Sequence, residues 1–147
     1  MSKKIELSDA LKEAMRSGDV VRRQTIRMIL SNIKLAEIEA GKELEEDKIL
    51  TILQKEIKVH LDAIDSAKKA NRDDIVQSHL AEIKVVESFL PQSFSPDELR
   101  ELAQQVITEL GVNSKKEMGL VMKTLVPKLQ GRATSTEASK MVQELLV

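Results

Sequence analysis

The side chains that could carry acid–base or nucleophilic chemistry are few and scattered along the 147 residues. Ser66 and Lys69 have the S-x-x-K spacing of some acyl-transfer enzymes, but S-D-N and K-T-G partners are absent and the pair falls within a helical pattern. His60 and His79 stand alone, with no cysteine and no histidine at metal-ligand spacing. Glu56 precedes His60 by one helical turn, which is typical of a pair on a helix surface. The sequence therefore predicts no catalytic residues and no metal site.

Nucleotide-binding loops are missing as well. Neither G-x-x-x-x-G-K-[ST] nor G-x-G-x-x-G occurs, so no pattern indicates a bound nucleotide. Without cysteine there is no disulfide, no zinc thiolate and no cysteine nucleophile. We expect no small-molecule cofactor.

Positive charge is concentrated in two stretches of a chain whose net charge is −1. Five cations against one acid give +4 to residues 16–34 and again to residues 115–132, whereas residues 36–47 carry −5. Such segregation can steer a polyanion to local patches, although solvated helix faces give the same pattern. Single-stranded readers stack bases on aromatic rings, and this chain has two Phe and no Tyr or Trp. The modes of nucleic-acid binding still open to this chain are contacts to phosphates and recognition of structured RNA by its shape.

The cations predicted to contact RNA phosphates lie in the C-terminal stretch: Lys115, Lys116, Lys123, Lys128 and Arg132. A possible second patch comprises Arg22, Arg23, Arg27 and Lys34. Gly131 and Arg132 could add backbone N–H groups beside a guanidinium, which suits phosphate oxygens.

The elements that must position these cations are helices. Apolar residues recur at helical spacing over about residues 4–16, 20–39, 46–70 and 73–90, with short joints that predict antiparallel neighbours. Asn71 is expected to end the third helix and Asp73 or Asp74 to cap the fourth. Three shorter helices follow, two of them opened by predicted capping boxes at residues 114–117 and 134–137. The predicted fold is all-α, with an N-terminal four-helix part and a C-terminal three-helix part.

The stretch from Phe89 to Leu99 joins the two parts. Pro91 should stop the incoming helix, while Ser95, Pro96 and Glu98 form a capping box that starts the next one. We predict subdomains at 1–92 and 93–147 and a hinge-like joint between them. An ordinary turn within one bundle is the alternative.

Two further residues mark the C-terminal part. Gly119 lies inside a helical pattern, where Gly is less favourable than Ala by ~1 kcal/mol, so it predicts either tight packing or close approach of a ligand. Pro127 should bend or stop the same helix near Val126, and Gly131 predicts a turn.

Several segments together resemble the GatB/YqeY family. They are M-G-x-V-M-K-x-L-x-P-K-L-x-G-R at 118–132, N-R-x-D at 71–74, E-I-x-V-x-E-x-F-L-P at 82–91, and R-M-I-L with I-K within 27–34. The resemblance covers essentially the whole chain and implies the same four-plus-three helical arrangement. It also implies kinship with the helical tail of the aspartyl/glutamyl-tRNA amidotransferase B subunit, which helps to hold the tRNA.

We therefore predict an accessory module associated with tRNA or with a tRNA-handling enzyme. Carbon–nitrogen ligase activity with glutamine as amido-N-donor, exerted only within a complex, is one alternative that the family label implies. A helical protein–protein adaptor is the other. The N-terminal residues lack a signal-peptide h-region and no run reaches the ~18 apolar residues of a membrane span. The sequence thus predicts a cytoplasmic protein without a membrane partner.

Overall fold

The computed structural model describes residues 2–146, and every regular element in that range is helical. The helices are α1 (Lys3–Ser17), α2 (Val20–Ala40), α3 (Glu46–Lys69), α4 (Asp73–Glu87), α5 (Pro96–Leu110), α6 (Met118–Leu129) and α7 (Ser135–Leu145), with a 3₁₀ turn at Lys115–Glu117. The prediction of an all-α fold is confirmed. None of these helices is long and apolar enough to cross a membrane.

The chain divides into two compact units, one ending at Pro91 and the other beginning at Gln92. Helices α1–α4 belong to the first unit and α5–α7 to the second. The subdomains predicted at 1–92 and 93–147 stay a prediction. So does the hinge-like joint between them.

Aliphatic side chains from all four helices fill the core of the first unit. Because helical spacing places these residues on one face of each helix, the packed faces exclude water and leave the charged faces outside. The buried aliphatic residues of this core are Leu7, Ile26, Ile29, Ile33, Ile49, Leu53 and Val86, and Phe89, which follows α4, packs with them. A smaller cluster, Ile64, Ala67, Val76 and Ile83, lies between α3 and α4.

The joint between α3 and α4 folds one helix back along the other. Asn71 has φ 55°, the left-handed conformation that was predicted to end α3. The predicted aspartate cap is wrong, since Arg72 occupies the N-cap position and Asp73 is the first helical residue. Asp74 instead accepts hydrogen bonds from the Arg72 guanidinium at 3.0 and 3.1 Å.

Local signals hold well at the start of α5. Ser95 Oγ accepts from the Glu98 N–H at 3.1 Å, and Glu98 Oε1 accepts from the Ser95 N–H at 3.0 Å. The predicted capping box is therefore confirmed, with Pro96 at the first helical position. The box predicted at residues 114–117 does not form, because Ser114 Oγ accepts from Lys116 and a 3₁₀ turn precedes α6.

Helix α6 continues through Pro127 to Leu129, so of the two predicted outcomes, a bend or a stop near Val126, the stop is wrong and the bend stays a prediction. A proline in the last turn removes only one late hydrogen bond. Val121, Leu125 and Leu129 are buried on one face of α6, and this packing holds the last turn in place. The remaining core of the second unit comes from α5 and α7: Leu99, Ala103, Val106, Ile107, Ala138 and Val142.

Candidate nucleic-acid interface

Three of the predicted RNA-contacting lysines point into solvent. Lys115 and Lys116 lie on the 3₁₀ turn and Lys123 lies on α6, and all three are exposed. No acid within residues 2–146 forms an ion pair with any of them. Since Val121 and Leu125 occupy the buried side of α6, the charge of Lys123 is displayed on the outer side.

Lys128 is oriented differently. It follows Lys123 by five residues, which is ~140° around an α-helix, so the two lysines do not share a narrow face. Lys128 Nζ lies 3.8 Å from Glu109 Oε2 on α5. This exposed pair is weak, and Lys128 is accessible to a phosphate that competes with the carboxylate.

Arg132 is engaged within its own unit. Its Nε donates to the Gln92 carbonyl oxygen at 2.8 Å, and its guanidinium carbon lies 4.0 Å from the centroid of the Phe94 ring. Nη2 lies 3.6 Å from Glu98 Oε2. The Arg132 carbonyl accepts from the Phe94 N–H at 2.9 Å. Through these contacts Arg132 clasps residues 92–98 to the end of α6, and its predicted contact with an RNA phosphate stays a prediction.

The backbone around Arg132 is also committed. The Arg132 N–H donates to the Leu129 carbonyl at 2.9 Å, so it does not offer the predicted N–H to a phosphate. Gln130 and Gly131 both have positive φ, 49° and 79°, and form the turn that the sequence predicted at Gly131. This turn carries Arg132 back toward Phe94.

The second patch lies on α2 and its members differ in availability. The Arg22 guanidinium stacks 5.2 Å from the centroid of the buried Phe89 ring. Arg23 Nε is buried and has no hydrogen-bond partner among the described residues. Arg27 and Lys34 are exposed, with Arg27 Nη2 at 3.9 Å from the Met15 sulfur.

Gly119 is exposed near the start of α6. A Cβ built on it would meet no atom within 4 Å. Tight packing against a neighbouring helix, one of the two explanations predicted for this glycine, is therefore wrong. Close approach of a ligand or partner stays a prediction.

The two histidines do not stand alone, contrary to the sequence-based expectation. His60 Nδ1 on α3 lies 2.9 Å from His79 Nδ1 on α4, and Glu82 Oε2 lies 3.3 Å from His60 Nδ1. His60 is only 9% exposed, so its pairing with Glu56 is not a surface feature. Sequence reasoning missed this cluster because the two histidines are 19 residues apart and only the register of α3 against α4 joins them.

Two carboxyl groups of the described chain, Glu37 and Glu98, have lowered pKa values. Glu37 accepts from the Leu44 N–H and from Lys4 Nζ, and these bonds hold the pKa of the Glu37 carboxyl below its ordinary value. Hydrogen bonds from Ser95, with a smaller effect of Arg132, lower the pKa of Glu98 in the same way. Both carboxylates stay charged on mild acidification.

The model of a protein family described as Yqey-like protein matches residues 4–146. A curated relative from Lachancea thermotolerans, "Altered inheritance of mitochondria protein 41, mitochondrial", is 36% identical over 107 residues, 71% of this chain and 57% of the relative. The protein of that name from Kluyveromyces lactis is 35% identical over 108 residues, covering 71% and 58%. The one from Pyrenophora tritici-repentis is 29% identical over 139 residues, covering 92% and 76%.

In the first two alignments the matched part is less than two thirds of the relative's own length. The names of all three relatives also describe them as mitochondrial. They contradict the prediction of a cytoplasmic location.

Proposed function

From the premise that this chain belongs to the Yqey-like family, we propose that it is a helical accessory module that binds structured RNA, with tRNA as the main candidate. The observation that carries the proposal is the exposure of Lys115, Lys116 and Lys123 without an acidic partner among the described residues. The resemblance to the tRNA-holding tail of an amidotransferase subunit supports the choice of tRNA. Lys128 adds a fourth cation once a phosphate displaces Glu109.

Lysine ammonium groups bind phosphates as point charges. Each phosphate neutralised on a duplex releases counterions and contributes roughly −0.9 to the slope of log K against log salt. Three lysines therefore predict a contribution of about −2.7. Because aromatic stacking platforms are scarce in this chain, folded RNA should bind better than unstructured RNA.

The test is fluorescence anisotropy with labelled tRNA at several salt concentrations. Replacing Lys115, Lys116 and Lys123 by Ala should weaken binding and flatten the salt slope by about 2.7. The matched control replaces three exposed lysines of α3 by Ala, Lys55, Lys58 and Lys69, and changes the net charge equally. An equal effect of both variants, or wild-type binding that does not depend on salt, would contradict the proposal.

A second candidate function is the protein–protein adaptor. Met28, Leu35 and Ile38 on α2 are 57%, 61% and 67% exposed, and their helical spacing places them on one side of the helix. Exposed apolar side chains grouped in this way are typical of docking sites. In a pull-down with this chain as bait, nuclease treatment removes partners that are held only through RNA. Replacing Leu35 and Ile38 by Gln should abolish capture of a protein partner in that experiment without changing tRNA binding. Carbon–nitrogen ligase activity within a complex stays a prediction of the family label.

A further inference from the structure

We propose that this chain binds one divalent first-row transition-metal ion, with Zn²⁺ as the reference ion, through His60, His79 and Glu82. The three residues are the group of His, Cys, Asp or Glu side chains in the described range whose ligand atoms converge. The site lies within the first unit, between α3 and α4, and does not depend on the proposed function.

The geometry of the three donor atoms fits an ion of this size. His60 Nδ1 and His79 Nδ1 are 2.9 Å apart, and Glu82 Oε2 lies 3.3 Å from the first and 3.9 Å from the second. A triangle with these sides has a centre about 2.0 Å from each corner, which matches the Zn–N and Zn–O distances of about 2.0–2.2 Å. The three donor atoms therefore lie within reach of one shared cation, and small side-chain rotations would bring them to the tetrahedral arrangement that Zn²⁺ prefers.

The chemistry of the donors favours a cation between them. When only one ring carries the Nδ1 proton, the two imidazoles share an Nδ1–H···Nδ1 hydrogen bond at 2.9 Å, and when both or neither carry it the two nitrogens repel each other. A metal ion satisfies both nitrogen lone pairs and the Glu82 carboxylate together. Two imidazoles and one carboxylate form a donor set of zinc sites that leaves a fourth position for solvent.

A carboxylate, Glu56, lies behind the first ligand. Glu56 Oε2 lies 3.7 Å from His60 Nε2, the ring nitrogen that faces away from the cluster. The other oxygen of Glu56 accepts from the Asn32 side-chain amide on α2. A carboxylate behind a ligating histidine fixes the ring and raises its basicity, and removal of such a group typically weakens metal binding 10- to 100-fold.

The helices supply both rigidity and access. His79 and Glu82 are three residues apart on α4, so both side chains project toward α3 from one face. The His60 side chain is 11% exposed, whereas those of His79 and Glu82 are 25% and 32% exposed. An ion can therefore enter from the α4 side. With nitrogen donors in the majority, Zn²⁺, Co²⁺ and Ni²⁺ should bind, and Mg²⁺, which prefers oxygen ligands, should not.

The experiment is isothermal titration calorimetry of the full chain with Zn²⁺, after treatment with a chelator that is then removed. We expect one ion per chain for the wild type. His79→Ala and Glu82→Gln should each weaken the affinity at least tenfold, and Glu56→Gln should weaken it with unchanged stoichiometry. The matched control is Glu87→Gln, an exposed residue of α4 that makes the same charge change and should leave Zn²⁺ affinity unchanged. Mg²⁺ should give no binding heat.

Circular dichroism of each variant establishes that it is folded, and Co²⁺ absorption supplies a second readout. Visible bands of Co²⁺ bound to imidazole should appear with the wild type and disappear with His79→Ala. Zn²⁺ binding that is multiple, or equally strong in His79→Ala and Glu82→Gln, would reassign the ions to surface carboxylates and overturn the proposal. Absence of Zn²⁺ binding to the wild type would overturn it as well.

Discussion

Replacement of Arg132 by Ala should destabilise the second unit while removing little RNA affinity. The side chain donates to the Gln92 carbonyl at 2.8 Å, and a hydrogen bond from a charged group contributes ~1.5–3 kcal/mol. Its stacking 4.0 Å from the Phe94 ring adds ~0.5–1 kcal/mol at a partly exposed site. The exposed pair with Glu98 adds ~0–1 kcal/mol. Since the Arg132 side chain is 34% exposed, solvent screening favours the lower values, and we expect a loss of ~2 kcal/mol in the free energy of unfolding.

Urea denaturation followed by circular dichroism at 222 nm measures the global effect. Hydrogen exchange at the Phe94 amide, which donates to the Arg132 carbonyl, reports the local one. Arg132→Lys keeps the charge but lacks the planar fork, so it should lose ~1 kcal/mol. A double-mutant cycle with Phe94→Leu should give a coupling of ~0.5–1 kcal/mol.

Lys123→Ala is the control, because an exposed lysine without an acidic partner among residues 2–146 contributes little to stability. A change of less than ~0.5 kcal/mol for Arg132→Ala would refute the clasp, since that is the range of an ordinary surface substitution. Arg132 would then be reconsidered as a ligand of an RNA phosphate.

Three further predictions concern local features. Gly119→Ala should stabilise the protein by ~0.5–1 kcal/mol in thermal denaturation, because no atom lies within 4 Å of the added Cβ; destabilisation would contradict this expectation. Ser95→Ala should lower the free energy of unfolding by ~1 kcal/mol through loss of the cap, and Ser95→Thr should restore most of it. Hydrogen bonds from Leu44 and Lys4 lower the pKa of Glu37 in the folded protein below its ordinary value of 4.5. The ionised carboxylate therefore stabilises the fold above pH 4.5, and this stabilisation is lost as the pH falls through the pKa of the folded state. Glu37→Gln should therefore lower the free energy of unfolding at pH 7, and the free energy of the variant should fall less than that of the wild type as the pH drops below 4.5. Parallel pH profiles for the wild type and the variant would disprove this.

Signals that act within one or two turns were readable from the sequence. The capping box of Ser95 and Glu98 and the left-handed Asn71 are set by neighbouring residues, so local chemistry decides them. The stop predicted at Pro127 was wrong because burial of Leu125 and Leu129 outweighs the one hydrogen bond that the proline removes.

Features that depend on the register between distant elements were not readable. The contact of His60 with His79 needs α3 and α4 to pack at one particular alignment, and periodicity reports faces and not alignments. The engagement of Arg132 with Gln92, 40 residues away, has the same origin. Arg132 and Lys123 contribute equally to a count of charges along the sequence. The packed structure shows that Arg132 is engaged by Gln92 and Phe94, whereas Lys123 is exposed to solvent.

The separation of structural arginines from exposed lysines leads to a prediction about specificity. Both phenylalanines of the chain, Phe89 and Phe94, are covered by guanidinium groups, Arg22 at 5.2 Å and Arg132 at 4.0 Å. Arg132 is the single arginine of residues 115–132, so that stretch offers no further guanidinium for the bidentate base contacts that arginine makes best. Lysines that touch phosphates position an RNA without reading its sequence. Competition binding with several purified tRNAs should then show differences smaller than one bidentate base contact, which is worth ~1–3 kcal/mol, or roughly 5- to 150-fold in affinity. An unstructured RNA of equal length should compete less well, since folded shape is what a rigid set of lysines can recognise. A single tRNA preferred by more than that margin would show that base contacts exist outside the lysine surface.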